Sequence, residues 1–286
     1  MRSTRLMLLI PAAFAVAACG GDDSAGPANE QLAFVRYVHA MPDTGGVMVR
    51  LVDRVENFVV NNTGPALYRD VGPFNGVVAG SRRIRVFSNP PCPDPPTSAC
   101  SPAVVTQIIA DATLTLNANT YYTLLHTGYA RAGQTPQQQL VLIEEQRPAP
   151  AANQVAVRTV LAAPGIGPVD VYTPRSTTRA SPATPAFTNV AYNPASVGAS
   201  SNWRTFAPDT MAVRATPAGT TTPVVAEANA PPGAPGQIGL DPSAGVTIGG
   251  SAITAFIFPA GVAGSPNNSV TAGSVNYGRD RNPPRP

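Results

Sequence analysis

The sequence predicts an all-β protein built from two tandem antiparallel β-sandwich domains. The first observation is a repeat. Val35–Arg50, VRYVHAMPDTGGVMVR, returns without a gap as Val157–Tyr172, VRTVLAAPGIGPVDVY, 122 residues further on. Eight of the sixteen positions are identical, among them Val35/Val157, Arg36/Arg158, Val38/Val160 and Pro42/Pro164. Solenoid repeats recur every 20 to 50 residues or so, so this spacing denotes a duplicated domain. The second is composition: 32 prolines and 25 glycines in 286 residues. Proline breaks helix interiors and glycine weakens them, while both suit turns. The third is that short Val- and Thr-rich runs alternate with turn clusters, the pattern of a sandwich.

In the first domain, 32–147, Leu32–His39 reads as a strand with Phe34, Arg36 and Val38 on one face and Val35, Tyr37 and His39 on the other. Pro42–Gly46 is a turn and Val47–Val52 a second strand. Arg82–Phe87 is a strand with Ile84 and Val86 inward and Arg83 and Arg85 outward. Leu114–Leu116, a turn at Asn117–Asn119, and Tyr121–Thr127 read as a hairpin, and Leu140–Ile143 as the last strand. A Pro/Ala linker at 148–153 leads to the second domain, 154–278. Its elements match at growing offsets, so its loops are longer. Met211–Ala215 corresponds to Arg82–Val86, and Val246–Phe258 to the expected hairpin. Ser269–Tyr277 reads as the closing strand and 279–286 as a disordered tail.

The first 19 residues read as a secretion signal. Arg2 and Arg5 precede an apolar run, Leu6–Val16, too short to span a bilayer. The run ends Val16-Ala17-Ala18-Cys19, which resembles the lipobox of bacterial lipoproteins and implies lipid modification of Cys19. Residues 20–31 form a flexible tether. Gly20 after the cysteine favours the outer membrane. Export makes a structural disulfide the natural reading of Cys92 and Cys100, which bracket a Pro-rich loop.

The motifs VRYVHAMPD (35–43), RIRVF (83–87), LTL (114–116) with Tyr122-Thr123, and VDVY (169–172) resemble a bacterial family known only as domain of unknown function 4397. The resemblance implies an immunoglobulin-like sandwich, export with a lipid anchor, and no assigned activity. The second copy lacks the family's His and Asp, having Leu161 and Gly165.

Chemistry-bearing residues are sparse. His39, four residues before Asp43, could pair with it to orient a site; the plainer reading is that both hold a turn. His126 alternates with Leu124 and Tyr122 and reads as a packing residue. Arg83, Arg85 and Arg214 lie on strand faces that could meet acidic glycans or simply be solvated. Trp203 belongs to the core or to a sugar-stacking platform. There is no GxSxG elbow, HExxH, phosphate loop or D-x-D-x-D calcium loop. No cofactor is expected. A net charge of +3 gives no basic field for nucleic acid. The expectation is a non-catalytic, lipid-anchored envelope module that contacts the membrane through its anchor and binds a polysaccharide or another envelope protein. The rivals are an envelope hydrolase with a carboxylate pair that no motif marks, and an extracytoplasmic sensor or partner-binding protein exposing an apolar patch.

Overall fold

A computed structural model describes residues 30–53, 65–88, 107–180, 182–194 and 202–285. Cys19, Cys92, Cys100, the signal segment and nearly all of the tether lie outside the described residues. Strands alone form the regular structure there; no helix is long and apolar enough to cross a membrane. The first half carries β1 (Leu32–Ala40), β2 (Val47–Leu51), β3 (Asn75–Val78), β4 (Gly80–Ser88), β5 (Gln107–Leu116), β6 (Tyr121–Thr127) and β7 (Gln139–Glu144). The second carries β8 (Val155–Leu161), β9 (Val169–Tyr172), β10 (Phe187–Val190), β11 (Arg204–Phe206), β12 (Ala212–Pro217), β13 (Ala226–Asn229), β14 (Ala252–Phe258) and β15 (Ser274–Arg281).

Four sheets result. In the first half, β3-β1-β6-β7 and β2-β4-β5 enclose a core of Val35, Tyr37, Val47, Ile84, Val86, Leu116 and Leu124 among others. In the second, the order is β11-β8-β14-β15 and β10-β9-β12-β13. The alternation in β4 is as its sequence dictates: Ile84 and Val86 are buried, while Arg83 and Arg85 face outward.

Three expectations need correction. Neither expected hairpin forms: Leu114–Leu116 and Tyr121–Thr127 do not pair, and Val246–Ile248 is a turn before β14, which pairs with β8 and β15. β5 pairs with β4, and the turn at Asn117–Asn119, with Asn119 at φ 58°, carries the chain to the other sheet. The sheets are not purely antiparallel: β1 pairs parallel with β6, and β8 with β14. The long excursion between the paired strands permits this, since parallel neighbours need a crossover. Finally, β15 runs through Arg281, so the segment from Arg279 begins as strand. Asp280 is held there because its carboxylate is the buried partner of two arginines.

The chain from Gln31 to Pro286 forms a single compact unit. β1 and β8 explain why. Each is buried on both faces, one toward the core of its own half and one toward the other half. Val38, Ala40, Leu125 and Ile143 meet Val160, Ala162, Phe256 and Phe258 in one apolar cluster. Backbone and side-chain hydrogen bonds frame that seam: Thr127 Oγ1 donates to the Ala162 carbonyl at 2.6 Å, Tyr68 Oη to the Pro259 carbonyl at 2.9 Å, and Asn267 Nδ2 to the Thr44 carbonyl at 2.7 Å.

Candidate functional site

The sequence-predicted residues that the structure describes do not gather at one site. His39 is fully buried, with Nε2 3.0 Å from the Gly45 carbonyl, and its ring stacks on that of His126 with centroids 6.2 Å apart. Burial lowers the His39 pKa to about 4, against the raising effects of the Gly45 carbonyl and Asp43. Burial and the neighbouring His39 lower that of His126 to about 3, and its Nδ1 lies 2.8 Å from Tyr37 Oη. Both imidazoles are therefore neutral in the folded protein near pH 7. Asp43 does not bond His39. Its two oxygens accept from the backbone N–H groups of Ala130 and Arg131 at 3.0 and 2.9 Å, tying the turn after β1 to the loop after β6.

Arg83 and Arg85 converge on Asp111. Arg83 grips it with two bonds of 2.9 and 2.8 Å, and Arg85 adds a third at 2.8 Å. These bonds lower the Asp111 pKa to about 2. Arg214, in the other half, pairs with Glu227 at 3.1 Å. Trp203 is half-buried, and the Arg158 guanidinium lies 4.9 Å from its ring centre, so the indole is not an open platform. Among the described residues no group of three or more His, Cys, Asp or Glu side chains is placed to hold a metal ion.

The seam holds what the sequence reading missed. Arg36 and Arg158, identical positions of the repeat, approach each other's half from β1 and β8. Arg36 Nε donates to Thr123 Oγ1 at 2.6 Å, and Arg158 Nε donates to Thr254 Oγ1 at 2.7 Å. Arg36 Nη2 bridges Glu145 at 3.0 Å and Asp280 at 2.8 Å, while Arg158 Nη2 binds the other oxygen of Glu145. Thr123 and Thr254 complete the set by donating to Glu145 and Asp280 respectively. All four charged side chains are at most 2% exposed. Burial penalises both carboxylates. At Glu145 the charges of Arg36 and Arg158 outweigh that penalty and hold its carboxyl below the ordinary range. At Asp280 burial dominates, Glu145 adds repulsion, and the carboxyl is raised. Gly278 leaves room for this cluster: a Cβ there would stand 2.1 Å from Arg36 Nη1 and displace the guanidinium.

Next to the cluster a cleft of about 960 Å³ opens between the halves. Phe34, Phe74, Tyr121 and Arg147 wall it from the first half, and Asn229, Ser243, Asn276, Tyr277, Arg279 and Asn282 from the second. The rings of Phe34 and Tyr121 stack with centroids 4.5 Å apart at 13°. Arg147 lies 3.6 Å over Tyr121, and its Nε donates to the Asp280 carbonyl. Phe74 meets the same ring edge-on with centroids 5.1 Å apart, so Tyr121 is held by three neighbours. The sequence signal for this region was an arginine at an identical place in both copies, within runs that are mostly apolar.

The geometry defines a protein of two coupled β-halves with a polar, aromatic-walled cleft at their junction. Residues 33–172 match a family model described as Domain of unknown function (DUF4397). The match covers the first half and continues through β8 and β9. A search of curated proteins finds no match. Among solved structures, the chain aligns with the "Putative cell adhesion protein" of Parabacteroides distasonis ATCC 8503 at 9% identity, covering 88% of this chain and 99% of that one. The TM-score is 0.20, at which the alignment carries no argument about fold or role.

Proposed function

We propose that the mature protein is a non-catalytic binding module of the cell envelope, held by lipid on Cys19 and made of two tandem immunoglobulin-like sandwiches. The observation that carries the binding role is the cleft of about 960 Å³, whose walls come from both halves and combine aromatic rings, amides and guanidinium groups. Such a lining, apolar faces with a few directed polar groups, is what small-ligand and oligomer sites use. Tandem copies are supported by the repeat and by the matching orders β3-β1-β6-β7 and β11-β8-β14-β15. The anchor reading rests on the Val16–Cys19 lipobox, and outer-membrane placement on Gly20. A disulfide between Cys92 and Cys100 remains part of the proposal for the exported form.

The test is binding of residues 20–286 to an array of envelope polysaccharides and envelope fractions, beside an Asn229→Trp variant that fills the cleft from an exposed position. Saturable binding by the wild type that the variant loses supports the module. A folded wild type that binds no fraction overturns it. Cys19→Ser should shift the protein from the membrane to the soluble fraction on fractionation of expressing cells.

One observation favours the hydrolase alternative: Glu145 and Asp280 are neighbouring carboxylates, Asp280 lines the cleft, and its pKa is raised. A retaining or inverting pair needs one carboxyl free to donate a proton and one free to attack or to activate water. Here both side chains are 0% exposed and bonded to guanidinium and threonine donors, so we assign them to structure.

A further inference from the structure

We propose that the cleft between the halves takes a carboxylate-bearing oligosaccharide of the uronate type, with its acid groups on Arg147 and Arg279; this rests on the binding-module reading above. Most arginines around the molecule are already engaged. Arg82 pairs with Asp53, Arg83 and Arg85 with Asp111, Arg175 with Asp209, Arg179 and Arg214 with Glu227, and Arg285 with Asp241. Of the arginines without an ion pair among the described residues, Arg147 and Arg279 line one cleft, from opposite halves. The acid that lies nearest in sequence, Asp280, is neutralised from behind by Arg36 and Arg158.

Arg147 is also preorganised. Stacking on Tyr121 fixes its plane and the Asp280 carbonyl takes Nε, which leaves the two terminal nitrogens for an incoming anion. A planar guanidinium held in this way matches a carboxylate with two parallel bonds and loses little freedom on binding. The remaining lining suits hydroxyl groups. The Asn229 and Ser243 side chains are uncommitted among the described residues, and Asn282 uses its Oδ1 for the Ala244 N–H, leaving its amide hydrogens. The ring of Phe34 supplies apolar contact for the C–H face of a sugar, while Phe74, with the Arg36 guanidinium 4.6 Å from its ring centre, backs the wall. An acidic peptide fits less well. Strand addition along β15 would use its outer carbonyls, and Arg147 already occupies that of Asp280.

The experiment is calorimetric titration of residues 20–286 with oligogalacturonate, a neutral oligogalactoside of equal length and oligoglutamate, at low and high salt. The proposal predicts saturable binding of oligogalacturonate at least about tenfold tighter than of either other probe, weakened by salt. Arg279→Gln, at an exposed position, and Arg147→Gln should each weaken it about tenfold or more. Arg147→Lys, which keeps charge but not the fork, should recover only part, with circular dichroism confirming that each variant is folded. Equal binding of the neutral sugar, or oligogalacturonate binding indifferent to both arginines, overturns the ligand class. Oligoglutamate binding as tightly overturns the glycan in favour of an acidic peptide. If oligogalacturonate does not bind while envelope fractions do, and Asn229→Trp abolishes that binding, this inference alone fails. If nothing binds, the module reading fails with it.

Discussion

Arg36 and Arg158 sit at equivalent positions of the repeat and make equivalent bonds, each giving Nε to a threonine and Nη2 to a carboxylate. Removing one member of a buried ion cluster leaves an uncompensated charge, which typically costs about 3–5 kcal/mol. Arg36→Met should therefore lower unfolding free energy by that order in urea denaturation. The double change Arg36→Met/Asp280→Leu should cost less than the two singles added together, because it removes one charge of each sign. Additive losses would mean the pair is not coupled. The histidines make a separate prediction. Unfolded, each takes up a proton near 6.5; folded, His39 resists until about 4 and His126 until about 3. The stability from keeping them neutral is complete above pH 6.5 and is lost as pH falls from there toward about 4 for His39 and about 3 for His126. Replacing His39 by Gln should flatten the stability-against-pH curve between pH 7.5 and 4.5 by roughly 2–3 kcal/mol. An unchanged slope would refute the buried neutral state. Asp43→Ala should cost about 0.5–1.5 kcal/mol by removing its bonds to the N–H groups of Ala130 and Arg131, exposed residues whose donors water can reach, without altering ligand binding.

Among the elements, strand positions were legible and strand partners were not. Alternation at β4 and the apolar run of β8 are written locally, since side chains point to opposite faces residue by residue. Pairing depends on which sheet the chain enters after a turn. Asn117–Asn119 looks the same whether it closes a hairpin or crosses between sheets. The continuous burial of Val155–Leu161 did hold a clue, because a strand read as half-solvated should not carry VAVRTVL. Arg158 in its middle obscured that clue, being a charge that only Glu145, before the strand, and Asp280, in β15, make tolerable at that depth. The end of β15 was misread for the same reason: Gly-Arg-Asp-Arg looks like a solvated tail until Asp280 is seen between two arginines. A chain ending at Tyr277 should accordingly lose several kcal/mol of stability in denaturant titration, whereas one ending at Asn282 should lose little.

For the whole molecule, the candidate site is illegible in the sequence because it belongs to neither half. Phe34 and Asn229 come to one cleft only because β1 and β8 turn their second faces toward each other across the apolar seam. The same seam means that either half alone would expose Val38, Leu125, Val160 and Phe256, together with unpaired buried charges. The most direct test of the account is the thermal unfolding of residues 20–286 by calorimetry, alongside the same chain carrying Phe256→Ala at the seam. One cooperative transition is expected for the intact protein. In the variant the whole transition should move to lower temperature, with a loss of about 3–5 kcal/mol, because both halves rest on that contact. Two separate transitions, or a shift confined to one half, would show that the halves fold independently and would remove the basis for a site built from both.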